Sequence, residues 1–85
     1  MSMEEKVKNQ YEMLLEKFRN YYMKYLKWRK LNRKRKSKFY RRRCSKLRHQ
    51  ILILGYLKDG NASLAGMELK KIVEELRGSE MASLG

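Results

Sequence analysis

The chain of 85 residues has no proline and one cysteine, and its first glycine is Gly55. Without proline or an early glycine, nothing before Gly55 obliges a helix to end. The lone Cys44 excludes an internal disulfide and a zinc site built from several cysteines of one chain. These absences favour a helical, disulfide-free protein, and we expect no cofactor and no metal.

Long hydrophobic runs are also missing. The longest uninterrupted one, residues 51–54, is far shorter than the roughly 20 residues that span a bilayer, so we expect no transmembrane segment. Glu4 and Glu5 close behind Met1 do not fit the basic-then-apolar order of a signal peptide. We therefore expect an intracellular location, in a nucleoid, a nucleus or the interior of a virion, and no secretion.

Acidic residues are absent from residues 27–48, where thirteen of twenty-two residues are Lys or Arg. The flanking segments are nearly neutral, +1 for residues 1–26 and −1 for residues 49–85, so the net charge of +13 lies in this basic block. Concentrated positive charge repels itself and is typical of a surface that binds a polyanion. The candidate nucleic-acid-binding residues are Lys27, Arg29, Lys30, Arg33, Lys34, Arg35, Lys36, Lys38, Arg41, Arg42, Arg43, Lys46 and Arg48.

Apolar residues recur at spacings of four and three in three stretches, as in helices that pack in bundles or coiled coils. Ser2 followed by Glu5 indicates a helix start. The first stripe consists of Val7, Tyr11, Leu14, Phe18, Tyr21, Tyr25 and Trp28, widened by Leu15 and Tyr22. The second consists of Tyr40, Cys44, Leu47, Ile51 and Leu54, and the third of Ala65, Leu69, Ile72 and Leu76 with Val73 beside it.

These stripes predict an all-α fold, with a long N-terminal amphipathic helix followed by an αα-hairpin. The second stripe predicts a helix over 38–57, with a short strand at 51–57 as the alternative. Residues 59–61, Asp-Gly-Asn, indicate a turn, and Gly78 is the expected C-cap of the last helix. We expect one domain over 1–78 and a frayed tail over 79–85.

Residues 32–38 interrupt the apolar repeat and are either continuous helix or a hinge. If residues 27–48 form one helix, their charges extend along a rod of roughly 33 Å. A chain this short buries only about 60% of its unfolded surface, so a lone core is marginal. We expect a homo-oligomer, such as a homodimer, or an assembly partner to complete it.

These patterns favour an architectural or packaging protein that binds DNA or RNA through phosphates, largely independently of sequence. One alternative is a sequence-specific regulator of the helix-turn-helix type. The other is a basic amphipathic protein of membrane surfaces. No Ser/His/Asp set and no glycine-rich phosphate loop is evident, so we expect no enzymatic activity.

Phe39 and Tyr40 lie in the interior of the basic block, and we expect one to contact bases while the other packs. Helical spacing makes core packing the better interpretation of the other aromatic residues. Asn32 and Gln50 are weak candidates for contacts with base edges. Cys44 lies on an apolar stripe and is interpreted as a buried structural thiol.

Overall fold

The computed structural model describes the backbone of residues 2–84 and the side chains of residues 2–79. Within that range it has no strand and consists of three helices, α1 (Met3–Lys30), α2 (Lys34–Asp59) and α3 (Ser63–Leu84). The helix start is where the sequence predicts it, since the Glu5 amide donates to the Ser2 hydroxyl at 3.2 Å. The all-α class is therefore confirmed.

A tight turn at residues 31–33 separates α1 from α2. The Arg33 amide donates to the Trp28 carbonyl at 2.9 Å, and the Asn32 amide donates to the Arg29 carbonyl at 3.1 Å. This is the Schellman pattern, and Asn32 takes its left-handed position with φ of 61°. Asparagine is among the few non-glycine residues that adopt this conformation readily. The chain therefore turns back at residues 31–33, residues 34–38 already belong to α2, and the continuous rod over 27–48 does not form.

A second turn joins α2 to α3, as the sequence predicts. Gly60 is left-handed with φ of 82°, and its amide donates to the Tyr56 carbonyl at 2.8 Å. The Asn61 side-chain oxygen then accepts from the Ser63 amide at 3.0 Å at the start of α3. Residues 51–57 are helical, so the strand alternative is wrong.

The three helices pack into an up-down-up bundle around one core. Tyr11 hydrogen bonds to Glu68, and Arg19 pairs with Glu75 further along, so α1 and α3 run parallel. The buried residues come from all three predicted stripes of one chain. They are Tyr11, Leu14, Phe18, Tyr22, Leu26, Cys44, Leu47, Ile51, Ala65, Leu69 and Ile72.

The core face of α1 departs from the predicted stripe in its second half. Tyr22 and Leu26 are buried there, whereas Tyr21, Tyr25 and Trp28 are only half-buried. The predicted stripe repeats every 3.5 residues, but a straight helix turns every 3.6. Its inner face therefore drifts by about 20° per heptad relative to the repeat. Over the three heptads from Val7 to Trp28 the drift reaches about 60°, more than half of the roughly 100° between consecutive residues, so the core moves to the next position.

The last helix runs past its predicted end. α3 continues through Gly78 to Leu84, so the expected C-cap at Gly78 is wrong. A glycine inside a helix costs up to about 1 kcal/mol relative to alanine, which does not by itself end the helix. The division of the chain into a domain and a frayed tail stays a prediction.

The closest approach of α2 and α3 lies near the second turn. A Cβ atom placed on Gly55 would lie 2.5 Å from the Cβ of Ala65, so only glycine allows this spacing. Ile51, one turn earlier, is fully buried. This close packing lies at the end of the bundle opposite the first turn.

Candidate nucleic-acid interface

The basic block folds back on itself around the first turn. Its charges lie on the last turn of α1, on Arg33 in the turn, and on the first part of α2 up to Arg48. All thirteen side chains are exposed. Residues 34–48 extend along about 22 Å of helix, which is half of the 44 Å long axis of the molecule. The block is thus a compact basic end of the bundle.

The positive charges of the basic end are not neutralised within the fold. The two ion pairs between described side chains join Arg19 to Glu75 at 2.9 Å and Lys58 to Asp59 at 3.0 Å. Both lie outside the block. Among residues 2–79, none of the thirteen cations pairs with a carboxylate. The block therefore presents its full charge to solvent.

The two sides of the first turn differ in how they suit the helix dipoles. Lys27, Arg29 and Lys30 lie in the last turn of α1, where the dipole favours cations. The first turn of α2 has no acidic residue, and its N-cap Arg33 makes no side-chain capping bond. Cations at this positive helix end are unfavourable. An anion placed against the first turn of α2 would relieve that repulsion.

Trp28 connects the two sides of the turn. The Lys36 ammonium lies 4.0 Å from the centroid of the indole ring, and the Lys27 ammonium lies 5.3 Å from it. Cations this close to an aromatic face are attracted by the ring quadrupole. Trp28 also lines a shallow concavity together with residues 32–36. The ring is thus held by the block rather than offered freely to a ligand.

The adjacent aromatic residues Phe39 and Tyr40 have different environments. Tyr40 is half-buried and packs against Tyr21 of α1, with 5.8 Å between ring centroids. Phe39 is 50% exposed and meets Tyr40 edge to face at 5.2 Å. The Arg43 guanidinium lies 5.2 Å from the Phe39 ring. The structure therefore shows which of the two packs, and base contact by the other stays a prediction.

Two lysines outside the block belong to the same surface. The Lys24 ammonium lies 5.8 Å from the rings of both Tyr21 and Tyr40. Lys70 of α3 lines a groove beside Arg41 and Arg48. The sequence could have indicated Lys24, because it lies one helical turn before Trp28 and therefore on the same face of α1. For Lys70 no such signal exists, because its position depends on how α3 packs.

The weak candidates for base contacts have ordinary structural settings. Asn32 occupies the left-handed position of the turn, which explains an asparagine there without any ligand. Gln50 is exposed on α2, two residues beyond the block. Neither position adds evidence for base reading.

The two side chains with shifted pKa values lie in the core, away from the exposed charges. Burial raises the pKa of the Cys44 thiol from 9.0 to about 11, as expected for a structural cysteine. Burial also raises the pKa of Tyr11, and so does its 2.5 Å hydrogen bond to Glu68. Both groups stay protonated at neutral pH.

The described residues show no cluster of three His, Cys, Asp or Glu side chains that suits a metal ion. No helix in that part of the chain has a stretch long and apolar enough to cross a membrane. In comparisons with known proteins, no family model, no curated protein and no solved structure matches this chain.

Proposed function

We propose that this protein binds DNA or RNA through the phosphate backbone, using the basic end of the bundle. The observation that supports it most is the set of thirteen exposed cations without a single carboxylate partner among residues 2–79. Exposed acids interleaved with these cations would indicate a merely solvated surface. A nucleic acid supplies the missing anions at high density.

The binding is largely independent of sequence. Phosphate contacts carry no sequence information, and the block has no established base-reading motif. The protein therefore acts by neutralising charge and by coating or bending the nucleic acid, in an architectural or packaging role within a nucleoid, a nucleus or a virion. Self-association as a homodimer or coiled-coil array belongs to the same proposal, because packaging requires many bound copies.

The direct test measures binding to labelled random duplex DNA, single-stranded DNA and RNA at 50 and 200 mM salt. If the basic end contacts six to ten phosphates, affinity should fall by about 10³ to 10⁵ between these conditions. A salt-independent affinity would contradict the proposal. A preference for one duplex sequence at high salt would favour a sequence-specific regulator instead.

A matched pair of variants locates the site. Replacing Lys30, Lys34 and Lys38 with Gln removes three exposed charges from the block. Replacing Lys6, Lys8 and Lys17 with Gln removes three exposed lysines from the part of α1 that precedes the block. The first variant should reduce the salt slope by about one per lysine that contacts a phosphate. The second should leave the slope nearly unchanged, and equal effects would place binding elsewhere.

A membrane surface is a second candidate, favoured by one observation. Leu31, at the tip of the first turn, is 54% exposed among the cations and follows Trp28 by three residues. An apolar side chain surrounded by Lys and Arg side chains suits the headgroup region of an anionic bilayer. Binding to anionic vesicles that exceeds binding to every nucleic acid, and that is lost in Leu31→Gln, would favour this function.

A further inference from the structure

We infer that Phe39 is a stacking platform for an unpaired base, and that the basic end prefers single-stranded nucleic acid to duplex. This rests on the proposed function and specifies its ligand. The starting point is the position of Phe39, a large aromatic side chain that is 50% exposed in the most basic part of α2.

The surroundings of Phe39 are entirely cationic along the helix. On an α-helix, the neighbours of a residue on the surface lie three and four positions before and after it. For Phe39 these are Arg35, Lys36, Arg42 and Arg43, all exposed. A base stacked on the ring would therefore have cations on both sides, where its own flanking phosphates lie. Duplex DNA keeps its bases paired and offers no such face.

The ring is held in place by its neighbours. It meets Tyr40 edge to face, with an interplanar angle of 82° and centroids 5.2 Å apart. Tyr40 is in turn fixed against Tyr21 of α1. An aromatic side chain supported in this way loses little conformational freedom when a base stacks on it. The platform is preorganised by the fold.

Trp28 does not offer an equivalent surface. It is half-buried, and two ammonium groups lie over its ring, Lys27 at 5.3 Å and Lys36 at 4.0 Å from the ring centroid. The Phe39 ring has one such neighbour, the Arg43 guanidinium at 5.2 Å, and its side chain is still 50% exposed. Phe39 is therefore the aromatic residue of the basic end whose exposure and support both suit a base.

Electrostatics alone predicts the opposite preference. Duplex DNA has the higher charge density, and its salt slope is about −0.9 per contact compared with about −0.7 for single strands. A surface that reads only phosphates should thus bind duplex at least as tightly as a single strand of equal length. Tighter binding to single strands requires an added contribution, and base stacking supplies one.

The test compares three variants by their affinity for a 12-nucleotide single strand and the matching duplex. Phe39→Ala should weaken single-strand binding by roughly 5- to 150-fold, the range expected for one lost stacked base. Duplex affinity should change less than twofold. Phe39→Trp should retain or increase single-strand affinity, and Phe39→Leu, which keeps an apolar side chain without a ring, should behave like Phe39→Ala.

Ile53→Ala is the matched control. Ile53 is also on α2 and 62% exposed, but its neighbours at three and four positions are His49, Gln50, Tyr56 and Leu57. Its replacement should leave both affinities unchanged. Far-ultraviolet circular dichroism at the binding temperature checks that every variant is folded.

Equal effects of Phe39→Ala on single strand and duplex would overturn the stacking inference and leave the phosphate proposal standing. So would full single-strand affinity in Phe39→Leu. If the wild-type protein binds none of the nucleic acids, both the stacking inference and the phosphate proposal are overturned.

Discussion

The two ends of the bundle are built in different ways. At the second turn, Ile51 is fully buried and Gly55 lies against Ala65 so closely that no side chain fits between them. At the first turn the core is absent. Leu26 is the last buried residue of α1 and Cys44 the first of α2, so residues 27–43 contain no buried side chain.

The residues that stabilise the fold and the residues that carry the net charge therefore lie at different ends of the bundle. The neutral end holds the helices together, whereas residues 27–43 of the basic end extend beyond the core on two helix ends and a turn. Such an extension tolerates self-repulsion because little apolar packing depends on it. It follows that substitutions at the two ends should affect different measurements.

The largest effect on stability should come from Ile51→Ala at the neutral end. Deleting a fully buried branched side chain typically lowers the free energy of unfolding by about 2–5 kcal/mol. Ile53→Ala, two residues further along but 62% exposed, should change it by no more than about 0.5 kcal/mol. Urea unfolding followed by circular dichroism measures both. Equal losses would mean that the helix is rotated from the orientation described here.

The next largest effect concerns two glycines that differ in the room available for an added Cβ atom. Gly55→Ala should lower the free energy of unfolding by about 1–3 kcal/mol, because the added Cβ overlaps that of Ala65. Gly66→Ala meets nothing within 4 Å and should raise it by up to about 1 kcal/mol. The opposite signs are the prediction. Stabilisation by Gly55→Ala would show that α2 and α3 are not in close contact.

At the basic end, Lys30→Gln and Lys34→Gln compare the two sides of the first turn. Each removes one charge from the same block, so the relief of repulsion is similar. Lys30 lies at the favourable end of α1 and Lys34 at the unfavourable start of α2. Lys34→Gln should therefore be the more stable variant, by about 0.3–1 kcal/mol at low salt. Thermal unfolding at 10 mM salt measures the difference, which should shrink at 500 mM.

The smallest effect is the pH dependence carried by Cys44, at the border between the two ends. Its pKa is raised from 9.0 to about 11 in the folded chain, so the unfolded chain loses this proton first. The protonated Cys44 thiol therefore makes its full contribution to the free energy of unfolding below pH 9, and this contribution is lost as the pH rises towards 11. Unfolding of the wild type and of Cys44→Ala should thus show a steeper decline for the wild type. Tyr11 is present in both proteins, so its effect on the pH dependence is the same in each. Parallel curves of unfolding free energy against pH would contradict the prediction.

The helices and most of the core were predictable from apolar spacing. The stripes around Leu14, Leu47 and Leu69 mark buried faces because a helix buries whichever side its apolar residues share. Tyr22 belongs to the widened stripe, whereas the burial of Leu26 in place of Tyr25 does not follow from a 3.5-residue repeat.

The geometry of the basic end was harder to predict. Asn32 tolerates both a helix and a left-handed turn, and the choice depends on tertiary packing that brings α2 back along α1. Tyr40 begins the second apolar stripe, which favours it over Phe39 as the residue that packs, but its contact with Tyr21 depends on how α2 returns along α1. Lys70 reaches the surface through the placement of a third helix.

If the protein binds nucleic acid as proposed, the turn at residues 31–33 also sets the length of nucleic acid that each molecule covers. A continuous basic helix over 27–48 would cover about 33 Å, close to ten base pairs at 3.4 Å each. Folded back, the block extends about 22 Å along α2, or six to seven base pairs. A hinge of three residues thus raises the saturating density of bound protein by about half at the same number of positive charges.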